Sequence, residues 1–368
     1  MLLLLKIVES RCWVLKNSTT FSIPVLFDVH SFQHDLITWY SKIKRDLPWR
    51  VNQDPYRIWV SEIMLQQTQV DTVIPYFNHF MERYPTVYDL AEADEQDVLK
   101  SWEGLGYYSR ARNLHTAVKE VVENYGGQVP SDKQELKNLK GIGPYTLGAI
   151  LSIAFDQPEP AIDGNVMRVM SRVFHIEEDI AKPKTKKLFD DVVREVISHE
   201  DPSSFNQGLM ELGALICTPQ KPKCDQCPVQ EHCLAYSYGN QTDLPIKSKK
   251  KKQKQTDYFG LILQNEKGEL YIQKRPEDGL LANLWEFPLV PKSVPSVEEW
   301  FETEYGAQIM THSKGEKVRH VFSHVIWDIE IIFATTESNV ESGIFVPLEK
   351  LKEYPFPNVQ YKIMKNLV

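Results

Sequence analysis

The chain has 368 residues, of which 42% are hydrophobic and 25% are charged, and this composition is typical of a soluble globular protein. Its length predicts two or three domains, each large enough to bury a core. The net charge of −8 excludes a uniformly basic coat for nucleic acid, although a local basic groove remains compatible with it.

The amino terminus, MLLLLKIVES, is apolar but short, and Lys6 interrupts it. It lacks the basic start, the long apolar stretch and the small-residue cleavage site of a secretion signal. No run of about 18 apolar residues occurs elsewhere, so we expect no membrane span. We therefore expect residues 1–28 to be an extension, the protein to be cytoplasmic and its cysteines to be reduced.

Residues 29–235 show the apolar spacing of three and four that is typical of helices, and Pro or Gly separates most of the segments. The clearest predicted helices are 86–101, 109–124, 131–139, 145–155 and 184–199. Residues 236–256 follow, and they contain KSKKKKQK (247–254), with six lysines in eight residues. Because like charges repel one another and exclude a core, we predict a linker here; contact with a nucleic-acid backbone is a second interpretation.

Residues 257–368 have a different pattern, which predicts a separate α+β domain. YFGLILQ and ELYIQKR flank a polar NEKG turn and predict a β-hairpin. VRHVFSHVIWDIEIIFA predicts one or two strands, and the intervening SVEEWFETEYG predicts a helix.

The stretch SEIMLQQTQV (61–70) places a lone acid among apolar residues and neutral amides. Glu62 is the single charged residue between Ile58 and Val70. Burial of this segment would remove water from the carboxyl group and favour its protonated form. Glu62 is thus a candidate general acid.

Four of the five cysteines lie within 17 residues in the pattern C-x6-C-x2-C-x5-C: Cys217, Cys224, Cys227 and Cys233. In a reducing compartment such a cluster is typical of a metal site, because thiolates are soft ligands. The single C-x2-C favours an iron–sulfur cluster over the paired knuckles of a zinc site, but spacing alone leaves both open. Cys12 lies far upstream and is expected to take no part.

Two further motifs place glycine at the start of a predicted helix. LKGIGPYTLGAI (139–150) puts Gly141 and Gly143 in a tight turn, where helix-initial N–H groups favour a bound phosphate; an ordinary corner between helices is the alternative. AIDGNVMRV (161–169) puts Asp163 just before Asn165, an arrangement that fits either a helix cap or an exposed catalytic carboxylate.

Together these residues resemble the helix-hairpin-helix DNA glycosylases of the endonuclease III type, with Asp163 twenty residues after Gly143 and the cysteine loop beyond it. SEIMLQQTQV, GLGYYSRARNL (104–114) and the added C-terminal domain narrow the resemblance to the MutY adenine DNA glycosylases. The resemblance implies a mainly α-helical catalytic domain with a 4Fe–4S loop at 29–235, a basic linker at 236–256 and an α+β, Nudix-like lesion-recognition domain at 257–368.

The resemblance also assigns chemistry to residues. It implies that Glu62 protonates a flipped-out adenine and later assists water, and that Asp163 stabilises the sugar cation or adds to it covalently. Asn165 and Tyr145 would orient these groups. Related bifunctional enzymes have a lysine at the position of Tyr145, and a phenol cannot form a Schiff base, so we predict base removal without strand cleavage.

The implied DNA contacts lie in both halves of the chain. The partner is double-stranded DNA with adenine opposite 8-oxoguanine or guanine, bound by a monomer that is associated with the nucleoid. Gln67 and Tyr107 match residues that wedge into the duplex, and the segment Phe322–His324, which includes Ser323, matches the loop that recognises 8-oxoguanine. Without the resemblance, the sequence of this segment predicts the end of a strand. Four arginines are candidate phosphate contacts: Arg50, Arg57, Arg110 and Arg112. The sequence alone does not distinguish this role from that of a surface salt bridge.

The C-terminal segment GLLANLWEFP (279–288) resembles the strand and loop of Nudix domains. However, SVEEWFETEYG lacks the acidic RExxEE helix that holds Mg²⁺ in a Nudix hydrolase, which disfavours a nucleotide pyrophosphatase. Two other rivals are a pyrimidine-specific glycosylase with lyase activity, disfavoured by Tyr145, and a non-enzymatic iron–sulfur protein that binds DNA and leaves every base attached.

Overall fold

The computed structural model describes residues 23–24, 26–248 and 252–367. Most of the predicted extension (residues 1–22 and 25) and part of the lysine run (249–251) therefore lie outside the described residues. By packing, the chain divides into two compact units: unit 1 is 1–66 with 128–249, and unit 2 is 67–127 with 250–368. The domain boundaries predicted above stay a prediction.

The described residues fold into helices in the first two thirds of the chain and into a mixed arrangement beyond. In chain order the α-helices are α1 Val29–Ile43, α2 Pro55–Leu65, α3 Val70–Arg83, α4 Val87–Glu92, α5 Glu95–Ser101, α6 Ser109–Tyr125, α7 Lys133–Asn138, α8 Pro144–Phe155, α9 Gly164–Val173, α10 Pro183–Val196, α11 Pro202–Leu215, α12 Leu234–Tyr238, α13 Val297–Tyr305 and α14 Asn358–Met364. The strands are β1 Lys254–Gln264, β2 Leu270–Lys274, β3 Trp285–Glu286, β4 Leu289–Pro291, β5 Met310–Lys314, β6 Val318–Val321, β7 Val325–Thr335 and β8 Ile344–Val346. Among these helices none is both long and apolar enough to cross a membrane.

Local capping explains where the helices begin. Asp54 accepts hydrogen bonds from the backbone N–H groups of Tyr56 and Arg57, and Pro55 occupies the first position of α2. The predicted helix 86–101 is instead two helices, α4 and α5, because Asp94 leaves helical geometry and caps α5 through the N–H of Gln96. The other predicted helices are confirmed, with ends that differ from the predicted ones by at most three residues.

Unit 1 contains a contiguous apolar core that is formed mainly by α1, α9, α10 and α11. Its largest side chains come from distant parts of the sequence, such as Phe32, Phe189 and Phe205, all of which are fully buried. Burying aromatic and branched side chains of this size is the main source of stability for such a unit. The core therefore fixes α9, which Asp163 caps and which carries Asn165, and α11, which leads into the cysteine loop.

Unit 2 is built on a mixed sheet in which β1 and β7 run parallel at the centre and the pairings of β2, β4, β5 and β6 with them are antiparallel. Side chains of β1 alternate between two apolar clusters: Leu261 faces the cluster that includes Phe301 of α13, and Ile262 faces the cluster that includes Ile363 of α14. Both faces of the sheet are thus covered. The predicted hairpin and helix are confirmed, and the predicted strand region 318–334 is two strands joined by a turn.

Helices α3 to α6 belong to unit 2, and hydrogen bonds join α5 and the loop after it to the C-terminal segment. The Tyr108 hydroxyl donates to the Phe356 carbonyl at 3.2 Å, and the Phe356 N–H donates to the Glu103 carboxylate at 2.8 Å. The Trp285 indole N–H donates to the Gln96 side chain at 2.9 Å. These bonds fix the 104–109 loop relative to the sheet.

Candidate active site and DNA interface

Glu62 lies on α2 within a stretch, Ile58 to Met64, in which every residue is buried. The residue itself is 5% exposed. Burial raises the pKa of its carboxyl group to about 7; a hydrogen bond from Tyr145 and the charge of Arg50 oppose the rise, and the charge of Asp163 adds to it. The burial expected from the charge-poor segment is confirmed, and its effect on the pKa favours the protonated form of Glu62.

Tyr145 opens α8 and is the direct partner of Glu62. Its hydroxyl donates to Glu62 Oε2 at 2.5 Å, and Met210 Sδ lies 3.5 Å from the same hydroxyl. Burial, together with the negative charges of Glu62 and Asp163, holds the pKa of Tyr145 well above its ordinary value. The side chain therefore stays a neutral hydrogen-bond donor and is no nucleophile at physiological pH.

Asp163 is the N-cap of α9, and its carboxylate accepts from the Val166 N–H and from Asn165 Nδ2, both at 2.8 Å. Burial raises its pKa, against the effect of these hydrogen bonds. The capping interpretation is thus confirmed. It does not compete with a catalytic one, since the charge of Asp163 also reaches Glu62 and Tyr145.

Asn165 is held from two sides by contacts that the sequence did not reveal. Arg168 Nη2 donates to Asn165 Oδ1 at 2.9 Å, and Arg168 Nε donates to the Cys217 carbonyl at 2.7 Å. A Cβ at Gly213 would lie 2.5 Å from Asn165 Cβ, so only glycine lets α11 approach this closely. Such contacts leave no signal in local spacing; the arginine four residues after Gly164 is the one hint in the motif.

The glycine turn between α7 and α8 has the predicted form. Gly141 adopts φ +80°, a left-handed conformation that glycine tolerates at little steric cost. Gly143 is the N-cap of α8 and provides no side chain to cap the first N–H groups of that helix. The geometry is compatible with an anion site at these N–H groups, and the phosphate role of Gly141 and Gly143 stays a prediction.

Gln67 and Tyr107 are both exposed residues with left-handed backbones, at φ 58° and φ 48°. Such conformations are uncommon for residues other than glycine and cluster at functional sites. Arg110 is one of the predicted phosphate contacts, but its guanidinium contacts the segments that carry Gln67 and Tyr107. Its buried guanidinium donates to the Gly106 carbonyl at 3.0 Å and to the Thr68 hydroxyl at 3.4 Å, and lies 5.5 Å from the centre of the Tyr107 ring.

A cavity of about 360 Å³ within unit 2 brings two predicted contact regions together. Tyr107 and Arg112 line it from the 104–112 segment, and the Phe322–His324 turn lines it from the sheet. Residues 279–282 and the Pro357–Asn358 pair complete the wall. Two other arginines predicted to contact phosphates have partners within the protein. Arg57 donates to the Pro48 carbonyl at 2.9 Å, and Arg50 forms an ion pair with the buried Glu211.

The Phe322–His324 segment is a tight turn between β6 and β7, closed by a hydrogen bond from the Phe322 N–H to the Val325 carbonyl at 2.8 Å. Phe322 packs edge-on against Trp327 with ring centres 4.8 Å apart. Ser323 and His324 are exposed, and the Ser323 hydroxyl lies 3.2 Å from His324 Nδ1. The turn therefore anchors its aromatic residue and presents two polar side chains to solvent.

The four cysteines lie on the loop between α11 and α12, which makes short 3₁₀ turns at Cys224–Gln226 and Gln230–His232. All four are partly buried free thiols. Burial, together with the charges of the neighbouring cysteines, raises the pKa of Cys227 to about 12 and that of Cys233 to about 11. The sulfur atoms of Cys217 and Cys233 both lie next to Arg172, at 3.2 Å from its guanidinium and 3.5 Å from its carbonyl oxygen.

A buried cation faces this loop. Arg172 is 1% exposed, and its guanidinium donates to Cys217 Sγ at 3.2 Å and to the Thr218 carbonyl at 2.8 Å. Four soft sulfur donors beside a fixed positive charge fit an iron–sulfur cluster, whose thiolates carry negative charge.

Comparison with protein families matches three consecutive segments. Residues 60–195 match the HhH-GPD superfamily of base excision DNA repair proteins, residues 217–233 match the iron–sulfur binding domain of endonuclease III, and residues 258–366 match the NUDIX domain. The predicted fold is confirmed: a mainly α-helical helix-hairpin-helix glycosylase part with an iron–sulfur loop, followed by an α+β Nudix-like domain. The cofactor is a 4Fe–4S cluster, so the zinc alternative is excluded.

Similar proteins agree with this assignment. The adenine DNA glycosylase of Rattus norvegicus is 34% identical over 381 residues, which cover 87% of this chain and 73% of the relative. That of Buchnera aphidicola subsp. Schizaphis graminum is 33% identical over 346 residues, covering 92% of this chain and 99% of the relative. A solved structure of a thermostable thymine-DNA glycosylase superposes with a TM-score of 0.51 and 28% identity, over 57% of this chain and 97% of that one. The chain belongs to the MutY-type adenine DNA glycosylase family, whose members are enzymes of base-excision repair that release adenine from DNA.

Proposed function

We propose that this enzyme removes adenine paired with 8-oxoguanine or guanine in double-stranded DNA, and that it leaves the strand intact. The observation that carries the proposal is the buried Glu62, hydrogen-bonded to Tyr145 and within electrostatic reach of Asp163. An acid and a carboxylate anion in one desolvated site are the two groups that glycosidic cleavage requires.

The chemistry begins with the flipped-out base, because an adenine inside the stack is out of reach. Glu62 donates its proton to adenine N7, which makes the base a better leaving group. As the bond from the base to C1′ breaks, positive charge develops on the sugar, and Asp163 stabilises it or bonds to C1′. Water then attacks C1′, and the Glu62 carboxylate takes up the proton that this water loses.

Tyr145 and Asn165 position these groups and do not react. The Tyr145 hydroxyl donates to Glu62 and so fixes the carboxyl group, while Asn165 Nδ2 donates to Asp163. Since Tyr145 stands where the bifunctional relatives have a lysine, no amine at this position attacks C1′. This supports a monofunctional enzyme, and the rival glycosylase with lyase activity is disfavoured for the same reason.

Recognition of the opposite base falls to the cavity of unit 2. It is lined by Tyr107 and by the Phe322–His324 turn, whose Ser323 and His324 present exposed polar groups. An oxidised guanine differs from guanine by an oxygen at C8 and a hydrogen at N7, which a hydroxyl and an imidazole can bind together. Gln67 and Tyr107, held in left-handed conformations, would fill the space from which the adenine has left.

The remaining contacts follow from the fold. The Gly141–Gly143 turn would bind a DNA phosphate through the free N–H groups of α8. Cys217, Cys224, Cys227 and Cys233 would hold the 4Fe–4S cluster, which supplies no step of the reaction and serves to hold the loop. We place residues 29–235 in catalysis and 257–368 in lesion recognition, and we propose a monomer that works in the cytoplasm on the nucleoid.

The test uses a labelled duplex with one adenine opposite 8-oxoguanine, analysed with and without hot alkali. We expect strand breakage after alkali alone, because the base is lost and the backbone remains. Breakage without alkali would contradict the monofunctional mechanism. A strand that stays unbroken under both conditions would contradict the proposal that adenine opposite 8-oxoguanine is the substrate.

A further inference from the structure

A buried group of ions lies behind the acid pocket of unit 1. Glu211 of α11 has a side chain that is 2% exposed, and it accepts from Arg45 Nε at 2.6 Å and Arg45 Nη2 at 3.0 Å. Arg50 Nη2 donates to the same carboxylate at 3.2 Å. One carboxylate thus holds two guanidinium groups, and we call these three residues the arginine–glutamate triad.

Arg50 is the member of this triad whose charge acts on Glu62. Its side chain is 17% exposed, it donates to the Arg45 carbonyl at 3.2 Å, and its guanidinium lies 5.6 Å from the centre of the Tyr40 ring. Its positive charge lowers the pKa of Glu62, against the rise that burial produces. A cation that is closer to Glu62, or that has no carboxylate partner, would lower the pKa of Glu62 further, and the proposed acid would then lose its proton at neutral pH.

The position of Glu211 on α11 strengthens this connection. Its sequence neighbour Met210 contacts the Tyr145 hydroxyl at 3.5 Å, so this turn of the helix borders the acid pocket. The groups that act on Glu62 are Tyr145 from α8, Asp163 from the start of α9 and Arg50 from the turn before α2. Arg50 is the single cation among them, and Glu211 is its carboxylate partner.

We propose that Glu211 is a positioning residue for base removal: it holds Arg50 in place and cancels its charge, so that Glu62 keeps its proton at neutral pH. The proposal rests on the proposed role of Glu62 as the acid. Buried carboxylates between two arginines also brace a fold, and a brace alone would change stability without moving the pH at which activity is lost.

The chain offers a matched control for this distinction. Glu159 also lies between two cations, with Lys133 Nζ and Arg194 Nη2 both 2.8 Å from its carboxylate oxygens and a side chain 16% exposed. It belongs to unit 1 and is absent from the charges that act on Glu62. Glu159→Gln therefore removes the same chemical group from a similar ion cluster without touching the acid.

The experiment measures the single-turnover rate of adenine release between pH 5 and pH 9 for full-length proteins loaded with their iron–sulfur cluster. In Glu211→Gln the uncancelled charge of Arg50 should move the alkaline fall of the rate to lower pH by about one unit. At pH 8 its rate should be about tenfold below that of the parent, with little change at pH 5. Glu159→Gln should keep the parent profile.

Arg50→Gln provides the opposite change, and it decides the matter if Glu211→Gln fails to fold. Removing the cation should move the fall of the reaction rate at alkaline pH to a higher pH, whatever the maximal rate of the variant. Far-ultraviolet circular dichroism and the cluster absorbance confirm that each protein is intact. A uniform loss at all pH values in Glu211→Gln, or an unmoved profile in Arg50→Gln, overturns the proposal. An active Glu62→Gln protein would instead overturn the proposed function beneath it.

Discussion

The acid pocket around Glu62 and the cavity beside the Phe322–His324 turn hold their polar groups in different ways. In the pocket, Glu62, Tyr145, Asp163 and Asn165 are hydrogen-bonded within the protein, and a second layer that includes Arg168 fixes them in turn. At the cavity, Ser323 and His324 contact each other and are otherwise exposed to solvent.

This difference reflects two physical tasks. Proton transfer at neutral pH needs a desolvated carboxyl group with its partners already in place, since reorganisation during the reaction would raise the barrier. Recognition needs free donors and acceptors, because a group already paired inside the protein gains little from a ligand. The comparison therefore predicts that changes in the pocket alter the rate of reaction, and that changes at the cavity alter the choice of substrate.

The largest effect is expected for Glu62→Gln, which keeps the size of the side chain and removes the acidic proton. We expect single-turnover excision at least about 100-fold slower, as is typical for loss of a general acid. Duplex binding, measured by fluorescence anisotropy, should stay within about twofold of the parent protein, since Glu62 is buried. Near-normal turnover would remove Glu62 from the mechanism.

The pH dependence should show the state of the same group. The folded-state pKa of Glu62 is raised to about 7, so the protonated form dominates below that pH and is lost above it. We expect the rate to fall by about tenfold between its plateau and pH 8. Rates measured under single-turnover conditions exclude product release as the cause. A rate that stays level to pH 8 would contradict an acid with this pKa.

At the cavity, the double variant Ser323→Ala with His324→Ala should reduce the preference for 8-oxoguanine over guanine opposite adenine. Loss of about 1 kcal/mol of hydrogen bonding corresponds to about a fivefold loss of preference. The measurement compares kcat/KM on the two duplexes. Ser313→Ala with His312→Ala removes a similar exposed pair from β5 and is the control. An unchanged ratio in the first variant would remove the turn from recognition.

The smallest effect is expected for Arg110→Leu, which loosens the segments that carry Gln67 and Tyr107. The guanidinium bonds to Gly106 and Thr68 are lost, so both segments must be ordered when DNA binds. We expect duplex affinity about threefold weaker at constant salt, with the rate of the bound complex retained. Arg83→Leu, which breaks an exposed pair with Asp97, should leave affinity unchanged.

The sequence carried the local features of both regions and missed the long-range ones. The charge-poor stretch around Glu62 predicted its burial, and the glycines and Asp163 predicted a turn and a helix start. The prediction of a single helix over 86–101 is wrong at Asp94, although an aspartate before Glu95 is a capping signal. Contacts such as Arg168 to Cys217, or Arg45 to Glu211, join residues far apart in the chain and have no local periodicity.

The burial of Glu62 also has a consequence for folding stability. In the unfolded chain this carboxyl group ionises near its ordinary pKa of 4.5, whereas in the folded protein it ionises near 7. Its favourable contribution is complete below pH 4.5 and is lost as the pH rises through about 7, at a cost of about 3 kcal/mol. Denaturant titrations should therefore show Glu62→Gln gaining stability over the parent protein as the pH is raised from 5 to 8.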